Sequence, residues 1–127
     1  MIERRINILE VKSKAFALRI VKLYQYLRGA KESILSKQIL RSGTSIGANI
    51  AEGKYAQSRG DFVNKNSVAL KEASETLYWL GLLKEAKLLD GFDAAESLRA
   101  DCEEIIRILV ASIKTAKSKW ILNENDE

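Results

Sequence analysis

The stretch QILRSGTSIGANIAEG, residues 38–53, decides the fold. Its large apolar residues Ile39, Ile46 and Ile50 recur at helical spacing. Its polar residues form a second stripe at steps of 4, 3, 4 and 3, namely Gln38, Ser42, Ser45, Asn49 and Glu52. Glycines 43 and 47 inside a helix each cost up to about 1 kcal/mol relative to alanine. The pattern therefore predicts a helix that a neighbouring helix approaches closely.

The polar stripe has two interpretations. In the structural one it is a hydrogen-bond network buried between helices, in which Arg41 and Glu52 are satisfied by partners such as Glu72 and Ser45. In the functional one it lines a cleft for a ligand or for catalysis. We favour the structural interpretation, because small residues beside a mostly neutral polar stripe are typical of helix packing.

The rest of the chain predicts three more amphipathic helices. The first carries one apolar stripe that ends at Gly29, a residue suited to stopping a helix: Leu9, Phe16, Ile20, Leu23 and Leu27. The last carries a stripe of seven: Leu98, Cys102, Ile105, Leu109, Ile113, Ala116 and Trp120. We expect helices at about 7–28, 32–56, 59–88 and 94–120, with Ser58 capping the third and a frayed tail at 121–127. Short connections make this an all-α, antiparallel up-and-down four-helix bundle that forms a single domain, 1–127.

Composition excludes several classes of protein. The chain has 127 residues, 46% of them hydrophobic, with no proline and no histidine, and this suits one helical domain. The lack of histidine removes the commonest general base and the usual zinc ligand. No apolar run reaches the roughly 18 residues that span a bilayer, and we expect no secretory signal. A single cysteine fits the reducing cytoplasm, which is the location we expect.

The third helix has two apolar faces. One face should point into the bundle: Phe62, Ala69, Ala73, Leu77 and Leu80. The second face consists of Val68, Trp79, Leu82 and Ala86 and is interrupted by Glu72 and Glu75. Small monomers seldom expose so much apolar surface, so this face is either an oligomer interface or, with Trp79, a widening of the core stripe. We favour the interface.

Residues 41–53, RSGTSIGANIAEG, resemble the signature of the bacterial four-helix bundle family, also named after open reading frames in intervening sequences of large-subunit ribosomal RNA genes. The likeness continues through residues 57–58, 61–62, 69–73, 75–76 and 78–80, and it covers about residues 10–118. It implies a left-handed bundle that assembles as a ring-like homopentamer. It also suggests kinship with the accessory proteins of diversity-generating retroelements, whose basic pentamers bind nucleic acid and a reverse transcriptase. The resemblance supplies no established biochemical activity.

The basic residues are concentrated in the first half of the chain. Residues 1–60 hold 12 Lys/Arg against 4 Asp/Glu, whereas residues 61–127 hold 9 against 13. Repeated around a ring, such cations would bind phosphates by counterion release, with little base specificity. Nucleic-acid binding would rest on the basic residues Arg4, Arg5, Lys12, Lys14, Arg19, Lys22, Arg28, Lys31, Lys37, Lys54 and Arg59. Six of these are selected as candidate site residues: Arg5, Lys12, Arg19, Lys22, Lys54 and Arg59. The alternative is that they are ordinary solvated side chains.

Catalysis has weaker support in the sequence. Glu52, Glu72 and Glu75 could form a carboxylate cluster, but di-metal bundles normally add Glu-x-x-His pairs. Cys102 lies on an apolar stripe and should pack in the core. We therefore expect a homo-oligomer, pentameric by the resemblance, with no enzymatic activity, no cofactor and no membrane partner. Its expected partners are its own copies, RNA or DNA, and an unidentified protein; the alternative is an adaptor ring that ignores nucleic acid.

Overall fold

The computed structural model describes residues 2–118 and consists there of four α-helices. They are α1 (Ile2–Gly29), α2 (Leu35–Lys54), α3 (Arg59–Glu85) and α4 (Ala95–Ser118). Within residues 2–118 the helix contacts join α1 to α2, α2 to α3, α3 to α4 and α4 to α1. Short loops and this order of neighbours give an antiparallel up-and-down bundle in which α1 and α3 occupy opposite corners. The all-α four-helix prediction is confirmed, whereas Trp120 and the predicted tail 121–127 lie outside the described residues.

The core lies along the stripes that the sequence predicts. All five residues of the predicted α1 stripe are buried, and so are Ile39, Ile46 and Ile50 of α2. On α4 the stripe is buried from Leu98 to Ala116. Each large aliphatic or aromatic side chain of this kind contributes roughly 1.5–3 kcal/mol on burial. The sequence period therefore sets which side of each helix faces inward.

The small residues of α2 allow close approach to both neighbouring helices. A Cβ atom built on Gly43 would lie 2.8 Å from Cγ1 of Ile20 on α1, and one on Gly47 would lie 3.4 Å from the carbonyl oxygen of Ser13. On the other side, a Cβ atom on Gly53 would lie 2.9 Å from Nδ2 of Asn66 on α3. The predicted close approach is thus present, and tight packing offsets the conformational cost of these glycines.

Helix α1 begins at Ile2, five residues earlier than predicted. Ile2 is 3% exposed and packs with Phe62 and Ala116 in a small second core at one end of the bundle. This cluster gives the first turns of α1 a tertiary anchor. The sequence stripe, which we began at Leu9, does not include it.

The loop between α1 and α2 also differs from the prediction. Gly29 lies inside α1, and the residue in the left-handed conformation is Lys31, with φ 67°. The Glu32 N–H donates to the Leu27 carbonyl (2.8 Å) and the Lys31 N–H to the Arg28 carbonyl (2.9 Å), which is the Schellman hydrogen-bond pattern. The Glu32 carboxylate then accepts from the backbone N–H groups at positions 34, 35 and 36. It therefore caps α2, which starts at Leu35, three residues later than predicted.

Helix α3 begins and ends in two different ways. Ser58 caps its start, as predicted, by accepting a hydrogen bond from the Asp61 N–H at 3.1 Å. Its end repeats the Schellman pattern, with Lys87 at φ 61° and the Leu88 N–H donating to the Leu83 carbonyl. The helix consequently stops at Glu85, three residues before the predicted end.

Candidate functional site

The polar residues of the 38–53 segment meet α3 on the surface of the bundle. The Arg41 guanidinium donates to Glu72 Oε1 at 3.1 Å and to Glu75 Oε2 at 2.5 Å. The Trp79 Nε1–H donates to the same oxygen of Glu75 at 2.9 Å. Hydrogen bonds from Arg41 and Trp79 lower the pKa of Glu75, and the hydrogen bond to Glu75 raises the pKa of Arg41. Arg41, Glu72, Glu75 and Trp79 therefore form one charged cluster.

This cluster is more exposed than the sequence led us to expect. The Arg41 side chain is 50% exposed and pairs with Glu72, one of its predicted partners. The Ser45 hydroxyl donates to the Arg41 carbonyl at 2.6 Å, and the Asn49 amide donates to the Ser45 carbonyl. Glu52 is exposed and pairs with Lys65 on α3 at 2.8 Å. The predicted buried network is therefore wrong for Arg41 and Glu52, because the α2–α3 boundary that carries them faces outward.

One hydrogen bond of the polar stripe is fully buried. The hydroxyl of Thr76 on α3 lies 2.8 Å from the Ser42 hydroxyl and 2.8 Å from the Glu72 carbonyl. Ser42 and Thr76 are both 0% exposed. This pair fixes the register of α2 against α3 and thereby places Glu72 and Glu75 beside Arg41.

The three glutamates of the carboxylate hypothesis are not brought together as one metal-binding cluster. Glu52 pairs with Lys65, while Glu72 and Glu75 share Arg41. Over residues 2–118, no group of three His, Cys, Asp or Glu side chains is placed to hold a metal ion. Cys102 is buried in the core, where desolvation raises its pKa to about 12 and its thiol donates to a backbone carbonyl. Charge pairing therefore accounts for the three glutamates, and core packing accounts for Cys102.

The six basic residues proposed to contact nucleic acid fall into different environments. Three pair with carboxylates: Lys12 with Glu104, Arg19 with Asp101 and Lys54 with Glu10.

The remaining three differ from one another. Arg5 donates to the Thr115 hydroxyl at 2.7 Å, Arg59 is half-buried, and Lys22 is exposed with no ion-pair partner within residues 2–118. Pairing between helices reduces the phosphate affinity expected of Lys12, Arg19 and Lys54, since a phosphate would have to compete with the carboxylate that each of them already binds. The sequence alone does not predict these partners, because they lie on other helices and far away along the chain.

Six cations of the same half of the chain have no carboxylate partner in the described part of the molecule. They are exposed, and they lie on α1, on the loop that follows it and on the first turn of α2: Arg4, Lys14, Lys22, Arg28, Lys31 and Lys37. Lys22 is one of the six selected site residues, and the other five belong to the wider set of basic residues named from the sequence.

The second face of α3 is partly covered and partly open. Trp79 is half-buried and packs against the main core, which agrees with a widened core stripe. Its neighbours remain exposed, however, with Tyr78 at 62% and Leu82 at 36%. The rings of Tyr78 and Trp79 meet edge to face at 5.2 Å. The half-buried Trp79 therefore favours a widened core stripe, whereas the exposed Tyr78 and Leu82 favour an oligomer interface.

A second exposed apolar surface lies on α1, and sequence reasoning missed it. Val11 is 70% exposed, Leu18 is 61% exposed and Ile8 is 36% exposed, and all three project from the side opposite the core. The sequence does contain a signal for this surface, because the apolar residues at positions 8, 11, 15 and 18 follow helical spacing beside the buried stripe. No helix within residues 2–118 is long and apolar enough to cross a membrane.

Comparison with known proteins agrees with the bundle and its motif. The chain matches the family described as 23S rRNA-intervening sequence protein over residues 7–111. It is also similar to the crystal structure of a protein of unknown function from the S23 ribosomal protein family from Bacteroides thetaiotaomicron. The two are 52% identical, with a TM-score of 0.83 over 87% of this chain and 99% of that chain. The comparison with curated proteins finds no match. Together with the four-helix fold, these matches show that the chain belongs to the 23S rRNA-intervening sequence protein family.

Proposed function

We propose that this protein works as a non-enzymatic homo-oligomer, a ring of five by the resemblance of its motif, and that it lies in the cytoplasm. The observation that carries self-association is the open part of the second face of α3. Tyr78 and Leu82 are exposed beside the half-buried Trp79. Aromatic and aliphatic side chains grouped in this way are typical of protein interfaces, since covering them removes apolar surface from water.

Self-association is tested by measuring the mass of the purified chain with light scattering after gel filtration. We expect a stable multiple of the 14.3 kDa protomer. Leu82→Lys should reduce that mass, because an ammonium group would be buried in the interface without a carboxylate partner. The matched control is Val110→Lys, which introduces the same charge at an exposed apolar position of α4. A monomeric wild-type chain would contradict the proposal.

A second function, sequence-tolerant binding of RNA or DNA, is favoured by the exposed cations that have no carboxylate partner in the described part. Lys14 and Lys22 on α1 and Lys31 and Lys37 beyond it could contact phosphates without breaking an ion pair. A ring would repeat each of them in every subunit, and several phosphate contacts give a steep salt dependence. The competing function is a scaffold that binds a protein partner and ignores nucleic acid.

Titration of the intact oligomer with unrelated RNA and DNA at about 50 and about 200 mM salt separates the two, since phosphate binding weakens steeply over that range. We expect similar affinities for both nucleic acids and a strong loss at the higher salt. Lys31→Glu combined with Lys37→Glu should weaken binding further, whereas Lys114→Glu combined with Lys117→Glu on α4 serves as the control. Absence of binding at the lower salt would favour the protein scaffold.

A further inference from the structure

The exposed apolar side chains of α1 form one continuous stripe, which we call the α1 crest: Ile8, Val11, Ala15 and Leu18. They are spaced 3, 4 and 3 residues apart, the spacing of a coiled-coil seam, and all four are exposed. A shallow groove of about 390 Å³ lies at one end, lined by Arg4, Asn7, Ile8, Val11 and Lys12. A helix from another molecule would fit such a seam, because its side chains can pack between those of the crest.

The charges around the crest decide what can cover it. Arg4, Lys14 and Lys22 border it and have no carboxylate partner within residues 2–118, and Glu3 is the exposed acid at its start. Beside Ala15, the carboxylates of Glu104 and Asp101 are already paired with Lys12 and Arg19. Two crests packed against each other would bring these cations together, and like charges at that distance repel. The surface that covers the crest should therefore be apolar and bordered by carboxylates.

The second face of α3 has this chemistry. Tyr78 and Leu82 are exposed, and the neighbouring carboxylates are Glu72, Glu75 and Glu85. The neighbouring cations are Arg41 and Lys71, so three carboxylates face two cations and this surface is net acidic. Arg41 neutralises part of the charge of Glu72 and Glu75, and hydrogen bonding lowers the pKa of Glu75, so that it is ionised at neutral pH. Glu85 is exposed and has no cation partner in the described part of the chain.

We propose that the α1 crest of one copy packs against the second face of α3 of the next copy. The inference rests on the proposed self-association and names the two surfaces that carry it. Helices α1 and α3 occupy opposite corners of the bundle, so a single copy cannot bring the two surfaces together. Each copy offers both, and the contact is head to tail. Such a contact repeats from copy to copy and closes into a ring when its rotation permits.

The test uses two variants, each with one blocked surface. Val11→Glu with Leu18→Glu blocks the crest, and Tyr78→Lys with Leu82→Lys blocks the α3 face, because each pair places charges opposite a border of the same sign. We expect each purified variant to be monomeric and to keep the helical circular dichroism of the wild type, since all four positions are exposed. Mixed in equal amounts, they should form a heterodimer of twice the 14.3 kDa protomer mass and nothing larger, because one intact crest meets one intact α3 face.

Different failures have different meanings. A monomeric wild-type chain would overturn the proposed function, and this inference with it. An oligomeric wild type whose crest-blocked variant remains oligomeric would overturn only the assignment of the crest. Two folded monomeric variants that do not combine on mixing would overturn the head-to-tail pairing.

A cross-linking measurement avoids the added charges. Leu18→Cys protein mixed with Leu82→Cys protein under mild oxidation should give disulfide-linked heterodimers in preference to either homodimer. The native Cys102 is buried and should not compete. Equal amounts of homodimer and heterodimer would overturn the proposal.

Discussion

Gly43 on α2 gives the sharpest test of how the helices pack. A methyl group at this position would lie 2.8 Å from Cγ1 and 2.9 Å from Cγ2 of Ile20, a side chain that is 0% exposed. Both atoms are branches next to the Ile20 backbone, so they cannot swing away as the end of a flexible chain would. Overpacking of this kind costs about 1–3 kcal/mol. Replacing a helical glycine by alanine returns up to about 1 kcal/mol. Gly43→Ala should therefore lower the free energy of unfolding by up to about 2 kcal/mol.

Gly29 is the matched control, because it also lies within a helix but has no atom within 4 Å of a built Cβ. Gly29→Ala should raise the stability by about 0.5–1 kcal/mol, the propensity gain without the clash. Urea unfolding followed by circular dichroism at a fixed protomer concentration measures both. For a domain of this size, Gly43→Ala should lower Tm by up to roughly 10 °C.

A double-mutant cycle with Ile20→Ala isolates the contact itself. Ile20→Ala alone should cost about 2–5 kcal/mol through the cavity that it leaves. In that background Gly43→Ala should be neutral or stabilising, because the atoms it would meet have been removed. If Gly43→Ala is as stable as Gly29→Ala in the wild-type background, or if Ile20→Ala does not relieve its cost, the close approach of α1 and α2 is refuted.

Four further outcomes follow from single groups. Lys31→Gly should stabilise the protein by about 1 kcal/mol in urea unfolding, because glycine adopts the left-handed conformation without a Cβ penalty; a loss would contradict the Schellman geometry. Arg41→Ala should lower the free energy of unfolding by less than about 1 kcal/mol, since the side chain is half exposed. A larger decrease would indicate that Arg41 belongs to a buried network after all. The lowered pKa of Glu75 stabilises the fold above the pKa of the unfolded carboxyl, and this stability is lost as pH falls through the folded value. The acid limb of stability against pH should therefore flatten in Glu75→Gln, and an unchanged limb would argue against the pairing. Cys102, with its pKa raised to about 12, should react with a thiol reagent at pH 8 only after unfolding; fast reaction of the folded protein would place it nearer the surface.

Residue patterns in the sequence predicted only part of the candidate site. The sequence named Glu72 as a partner of Arg41 and singled out Trp79, because helical spacing places such residues on defined faces. It did not predict that Lys12, Arg19 and Lys54 would be paired. Their partners Glu104, Asp101 and Glu10 lie 44 to 92 positions away on other helices, and only the packing of those helices selects them.

The sequence by itself determined the number of helices and the face that each one buries. These follow from the local period of apolar residues, and a shift by one residue would expose the stripe that holds Phe16 and Ile20. Tertiary structure alone decided where α1 begins, since Ile2 gains its partners from α3 and α4. It also decided the exposure of Arg41 and the openness of the α1 crest. Burial of those groups depends on which neighbours cover them, and a neighbour is a property of the packed bundle, not of the periodic pattern.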